Sequence, residues 1–165
     1  MYLPKGGPKF NSEHTMPTPK RIVIYTDGSA HKQIGGWSAV IIQDTGISIM
    51  LSGGEVGTTS NVMELTAIYE AMLWLKSNGS PRAQICSDSQ YALNCMWQWA
   101  ACWERRGWTK KGGPIKNLDL IQRMFALSKQ LDVRWKWVKG HAGDPCNELA
   151  DRLAEKARME ITQTK

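Results

Sequence analysis

Apolar positions along the chain change their period several times, and each change marks an element. Ile22-Val23-Ile24-Tyr25 is an unbroken β-branched and aromatic run, which predicts a buried strand over 22–26. The run stops at Asp27-Gly28, a turn signal in its own right. The polar stretch from His31 to Ile34, with Gly35-Gly36 after it, predicts a loop. Two more apolar runs follow, Trp37 to Ile42 and about Ile47 to Leu51. Gln43 to Gly46 joins them, with Asp44 and Gly46 suited to a tight turn. The three runs together predict an antiparallel meander, closed by a loop at Gly53-Gly54 and Gly57.

The period then becomes helical. Thr58-Thr59-Ser60-Asn61 opens a helix expected to reach Ser77, with Leu65, Ile68, Met72 and Leu75 at helical spacing and Asn78-Gly79-Ser80-Pro81 as the stop. Ala83 to Cys86 predict a short strand. A helical pattern runs from Ser89 to about Arg106, with an interruption near Ala100. Gly107 to Lys116 is a loop, Leu118 to Lys129 a helix, Val133 to Val138 a strand and Lys139 to Cys146 a Gly- and Pro-containing loop. A last helix is expected over about Asn147 to Ile161. A strand, long helix, strand order needs a crossover, so the 83–87 strand should lie parallel to a meander strand. The order βββαβα(α)αβα predicts one α/β domain over 21–165: a mixed sheet of five strands, three antiparallel and two parallel, flanked by helices. Residues 1–20, with Pro4, Pro8, Pro17 and Pro19 and no period, read as a flexible leader.

Composition narrows the function classes. No apolar run approaches the roughly 18 residues of a membrane span, and the N-terminus has no signal-peptide core. The expectation is a cytoplasmic, monomeric protein without a membrane partner. The net charge of +6 permits a polyanionic partner, and most of the eight tryptophans lie from Trp97 to Trp137 amid Arg and Lys. Cys86, Cys95, Cys102 and Cys146 form no C-x-x-C pair and no zinc spacing, so they read as reduced thiols.

Four acids carry the candidate chemistry, and each also has an ordinary reading. Asp27 ends the first strand, where Asp-Gly alone is a turn. Asp88 holds the matching position after the fourth strand, where an acid can simply cap a helix. If those strands are parallel neighbours, both carboxylates leave the same end of the sheet, where sites on such sheets tend to form. Glu64 could close a capping box with Asn61. Yet Glu64, Ile68, Ala71 and Leu75 follow i, i+4, i+7, i+11, which aims a carboxylate along a core-facing stripe. A buried anion needs a partner, and a cation is one. Asp151 sits at the edge of the last helix's apolar stripe, where a surface ion pair is the ordinary role. His141, between Gly140 and Ala142-Gly143, is a loop histidine. Four converging carboxylates without Cys or His would be an oxygen-only site, which selects Mg²⁺ or Mn²⁺. Two such ions about 4 Å apart can activate water against a phosphodiester.

Five motifs stand in order: Tyr25-Thr26-Asp27-Gly28-Ser29, Thr58 to Leu65, Ser87-Asp88-Ser89-Gln90-Tyr91, Trp137 to Gly143, and Asn147-Glu148-Leu149-Ala150-Asp151. With them the chain resembles the bacterial-type (type 1) ribonuclease H family from about Arg21 to about Arg158. The resemblance implies the ribonuclease H-like fold and an endonuclease that cuts the RNA strand of RNA/DNA hybrids, as in primer removal. Cleavage would leave a 5′-phosphate and a 3′-hydroxyl and use two Mg²⁺ ions, with Mn²⁺ as a substitute. Its metal-binding catalytic carboxylates fall on Asp27, Glu64, Asp88 and Asp151, and its mobile histidine on His141. Contacts to RNA 2′-hydroxyls fall on Ser60, Asn61 and Gln90, with main chain from Gly28 and Ser29. The segment 96–116 resembles the family's basic handle for the DNA strand, with Trp99, Trp108, Arg105, Arg106, Lys110, Lys111 and Lys116. Thr59 and Asn117 match positions near DNA.

The chain departs from that pattern in places. The loop between Ser29 and Gly36 is about two residues shorter than in a common bacterial version, and His31 or Gln33 stands where that version has an Asn. Ser60 replaces an Asn often seen there. Cys102 and Glu104 stand where polar or basic residues are often found. The rival readings are a retroviral-type domain, a transposase or integrase core, and a silent hybrid-binding module. The handle argues against the first, the His141 loop against the second and the complete acid set against the third.

Overall fold

A computed structural model describes residues 21–163, so the expected leader over 1–20 lies outside the described residues. Five strands form one sheet in the order β3-β2-β1-β4-β5. They are β1 (Ile22–His31), β2 (Ile34–Ile42), β3 (Ser48–Val56), β4 (Ala83–Ser87) and β5 (Val133–Trp137). β1, β2 and β3 are antiparallel neighbours, β4 runs parallel to β1, and β5 runs parallel to β4. Helix α1 (Ser60–Ser77) is the crossover between β3 and β4. Then come α2 (Gln90–Asn94), a π-helical turn over Cys95–Trp99, α3 (Ala100–Arg105), α4 (Leu118–Ser128) and α5 (Pro145–Gln163). This is the mixed α/β sheet that the hydrophobic pattern predicts.

Three local expectations give way. The first is the Asp27-Gly28 corner. β1 continues through both residues, pairing Asp27 with Ser38 and Gly28 with Trp37. The reversal comes at Lys32-Gln33, both with positive φ, 50° and 62°, as a tight two-residue hairpin requires. Gly28 serves packing instead: a Cβ there would stand 2.3 Å from the Glu64 amide nitrogen, so α1 comes closer to β1 than any side chain allows.

The second is the pair of glycine loops. Gly35-Gly36 lie inside β2 and Gly53-Gly54 inside β3. A Cβ on Gly36 would meet the Ala154 carbonyl at 2.1 Å, and one on Gly35 would meet Met63 and Thr58 side chains. Neighbouring strand residues face opposite ways, so α1 and α5 cover opposite faces of the sheet. The third is the helix after Ser89. Its irregularity before Ala100 is a widened turn, in which the Ala100 N–H donates to the Cys95 carbonyl five residues back. Ile24, Ile41, Leu65, Ile68, Met72, Leu75, Ile85, Ile121 and Met124 are fully buried between the sheet and α1 to α4.

Register places the chemistry. The last parallel pair of β1 and β4 is Thr26 with Ser87. The next residue on each strand is an acid, Asp27 and Asp88.

Candidate active site

The alternative roles of two acids are already filled by neighbours. Helix α1 is capped by Thr59, whose hydroxyl accepts from the Val62 N–H at 3.2 Å, so Asn61 and Glu64 do not form the capping box. Ile68, Ala71 and Leu75, below Glu64 on the same stripe, are fully buried. Helix α2 is capped by Ser89, which accepts from the Ala92 N–H at 3.1 Å, so Asp88 is not the cap. The Asp88 carbonyl accepts from the Trp137 indole Nε1 at 3.2 Å, which ties β5 to this corner.

Carboxyl oxygens of Asp27, Glu64 and Asp88 lie within 4.8 Å of one another. Asp151 closes no ion pair among the described residues; it comes into hydrogen-bonding contact with Asp27. Asp27 is only 4% exposed. Burial first, then the Asp88 charge and the Asp151 contact, push its carboxyl up to about 8. Burial and then the Asp27 charge hold Glu64 well above the ordinary range, although the Gly28 N–H donates to it. Asp88 is raised by burial and by Asp151, against the opposing influence of Asp27, His141 and Asn147. Glu64 Oε2 is sealed from water and has no hydrogen-bond partner.

That combination is unfavourable for a bare protein and favourable around a cation. Several acids share one desolvated corner and one oxygen there is orphaned. The donors are all carboxylate oxygens, with no sulfur or imidazole among the three clustered residues. Such a set fits hard divalent ions of the magnesium and manganese kind.

His141 stands at the rim of the same corner. It is exposed, with positive φ of 54°. The loop passes close over Asp88, since a Cβ on Gly140 would stand 2.9 Å from Asp88 Oδ2. One participant escapes the sequence reading. Asn147 is 3% exposed, its side chain hydrogen-bonds to Asp88, and its Oδ1 has no partner. It lies one helical turn before Asp151 on α5, and that i, i+4 spacing was the available signal.

The ribonuclease H family model matches residues 19–159. The chain belongs to the ribonuclease H family. It is 44% identical over 149 residues to a ribonuclease H of Methylorubrum extorquens, a match that covers 89% of this chain and 64% of that protein. It is 43% identical over 150 residues to a ribonuclease H of Polaromonas naphthalenivorans, covering 88% and 91%. Among solved structures, LC9-RNase H1, described as a type 1 RNase H with the type 2 active-site motif, superposes with a TM-score of 0.77 at 31% identity. That superposition covers 88% of this chain and 74% of the other.

The positions that the sequence reading expects to meet the hybrid fall into two groups. For the first, the Ser60 hydroxyl accepts from the Ala30 N–H at 3.1 Å and so ties α1 to β1, while Ser29 donates to Glu155 at 3.1 Å. Glu155 is itself paired with Arg158, which with Ser29 holds its carboxyl below the usual range. Thr59 is committed to its cap, and Asn61 and Gln90 are exposed. For the second, Tyr91, Trp99, Trp103, Lys110 and Lys116 line a cavity of about 390 Å³. Trp99 packs against Trp103 and Tyr91 at ring distances of 5.9 and 6.1 Å. Trp108 meets Phe125 edge-on at 6.1 Å. Asn117, with φ of 60°, donates to the Tyr91 hydroxyl at 3.0 Å. Arg105, Arg106, Lys110, Lys111 and Lys116 are exposed, and of these Lys110 and Lys116 line the cavity. Glu104 accepts from Lys129 at 2.9 Å and clamps α3 to α4.

Proposed function

We propose that this chain is a metal-dependent endoribonuclease that hydrolyses the RNA strand of RNA/DNA hybrids, leaving 5′-phosphate and 3′-hydroxyl ends. The observation that carries this is the desolvated convergence of Asp27, Glu64 and Asp88, with the orphaned Glu64 Oε2 among them. Asp27, in contact with Glu64 and Asp151, would be a ligand of the metal. Glu64, Asp88 and Asp151 would complete its shell. A divalent ion such as Mg²⁺ or Mn²⁺ held by these carboxylates would supply Lewis-acid chemistry for water attack on a phosphodiester.

The residues around the acids do the rest. Asn147 and the Gly140 approach hold the Asp88 carboxylate in one orientation. His141, beside Asp88 on a glycine-flanked loop, takes up or returns a proton at the scissile phosphate and moves as product leaves. Asn61 and Gln90 offer amides that donate and accept, as a 2′-hydroxyl requires, with Ser60 and the Gly28-Ser29 main chain beside them. The basic residues around the Trp99 cavity, together with Thr59, Trp108 and Asn117, hold the DNA strand through its phosphates. A monomer acting in the cytoplasm belongs to the same reading. No helix among the described residues is long and apolar enough to cross a membrane.

The test is a cleavage assay on one labelled RNA strand, paired with DNA, paired with RNA and alone, each with Mg²⁺ or EDTA. Cutting confined to the hybrid and to metal is expected. Folded protein that binds the hybrid but cuts nothing in Mg²⁺ or Mn²⁺ would leave the silent binding module as the better reading.

A further inference from the structure

The widened turn before α3 leaves one indole outside the aromatic cluster. Trp99 packs inward against Tyr91 and Trp103, whereas Trp97, two residues earlier in the same π-helical turn, is 68% exposed. Trp137 at the end of β5 is 47% exposed. These two large apolar rings are not scattered: with Gln90, Leu93 and Asn94 they line one cleft of about 350 Å³. Widened turns of this kind recur at functional sites.

Three features say what the cleft would take. Two exposed tryptophans line it, each an indole on which a base can stack, with Leu93 as an apolar contact beside them. The Gln90 and Asn94 amides carry both donors and acceptors, which suits the polar edge of a heterocycle. Asn94 Oδ1 already accepts from Gln98 at 3.2 Å, which leaves its Nδ2 as a donor. Lys139, exposed two residues beyond Trp137, adds positive charge for a neighbouring phosphate. Stacking surfaces with amide edges and nearby cations recognise single-stranded nucleic acid.

Position identifies the strand. The Trp137 indole donates to the Asp88 carbonyl, so one wall of the cleft is fixed to a residue of the carboxylate cluster. Gln90, assigned above to the RNA strand, forms another wall. A base inside a duplex is stacked on both faces and has none left for an indole. A base freed from the stack has one.

We propose that the cleft of Trp97 and Trp137 stacks one unpaired base of the RNA strand. It thereby favours hybrids that carry a single-stranded RNA extension beside the cut site. The proposal rests on the hybrid-cleaving reading above. Stacking one base on such a surface corresponds to a gain of about tenfold in affinity.

Binding is measured with the full chain carrying Asp27→Asn, so that no strand is cut, on hybrids sharing one duplex. The duplex is blunt, or carries a short RNA extension at either end, or the same extension without bases, or a DNA extension. The base-bearing RNA extension is expected to bind about tenfold tighter than the blunt and abasic forms. Adding Trp97→Ala removes that gain. In the otherwise unaltered chain, Trp97→Ala leaves cleavage of the blunt hybrid within about twofold, because the exposed ring supports no core contact. Equal binding of base-bearing and abasic extensions overturns the proposal. So does a gain that survives Trp97→Ala, or one equally large for DNA extensions. Failure of the unaltered chain to cut the blunt hybrid strikes the nuclease reading instead, and is scored separately from the binding series.

Discussion

At the scale of single residues, Asp27, Glu64 and Asp88 all hold protons more tightly in the folded chain than an exposed carboxylate does. Without metal, the folded state therefore keeps protons that the unfolded chain has released. Stability in EDTA is full below the unfolded carboxylate range near 4 and falls as pH rises toward about 8, the folded value of Asp27. The melting temperature in EDTA is expected to drop on the order of 5 °C across that window. Mg²⁺ should recover most of the loss at pH 8 and little at pH 4; a flat pH profile in EDTA would mean the acids are not coupled as described. Asp27→Asn removes one charge from the cluster. It should raise the metal-free melting temperature at pH 8 and, on the metal-site function proposed above, lower kcat about a thousandfold. Asn147→Ala acts through Asp88. The Mg²⁺ concentration for half-maximal rate should rise about tenfold, as loss of an orienting hydrogen bond to a ligand usually causes, and an unchanged midpoint would reduce Asn147 to a packing role.

At the scale of elements, the glycines inside β1, β2 and β3 decide how closely the helices approach. Gly36→Ala would push a methyl into the Ala154 carbonyl and the Arg158 amide, both backbone atoms of α5 that cannot rotate away. Overpacking of that kind costs about 3 kcal/mol, and urea unfolding should show it. Gly46→Ala, at an exposed turn with φ of 78° and nothing within 4 Å, should cost only about 1 kcal/mol. A smaller loss at Gly36 than at Gly46 would contradict the packing. The same glycines explain why strand ends were hard to read. Local pattern records Gly35-Gly36 and Gly53-Gly54 as flexible pairs, and nothing nearby in sequence announces that Gly36 and Gly54 must stay bare for α5, more than a hundred residues later. Asp27-Gly28 was misread as a corner for the same reason. Element order, the parallel crossover and the convergence of Asp27 with Asp88 were legible, because they depend on periodicity and on position after a strand. Asn147 was not, because its partner Asp88 comes from a distant strand.

At the scale of the whole molecule, charge and shape divide the work between two faces of one sheet end. The acids gather where the pairing of β1 with β4 ends, yet the chain carries a net charge of +6, and Lys110 and Lys116 line the aromatic cavity. A negatively charged corner repels a phosphate backbone unless cations and a basic flank offset it. The flank was legible as a cluster of Trp with Arg and Lys. Which rings lie inward and which remain open was not, since the widened turn at Cys95–Trp99 changes the helical phase without a Gly or Pro to mark it. Lys110 and Lys116 line the cavity beside Trp99 and Trp103; on the function proposed above, each would neutralise one phosphate of the DNA strand. Each neutralised phosphate contributes about 0.9 to the slope of log K against log salt. Lys110→Ala and Lys116→Ala together should therefore flatten that slope by about 2, raise KM at moderate salt and leave kcat unchanged. The outcome separates the two faces: loss of kcat with an unaltered salt slope would mean the lysines shape the carboxylate corner, whereas the expected pattern assigns them to holding the strand that is not cut.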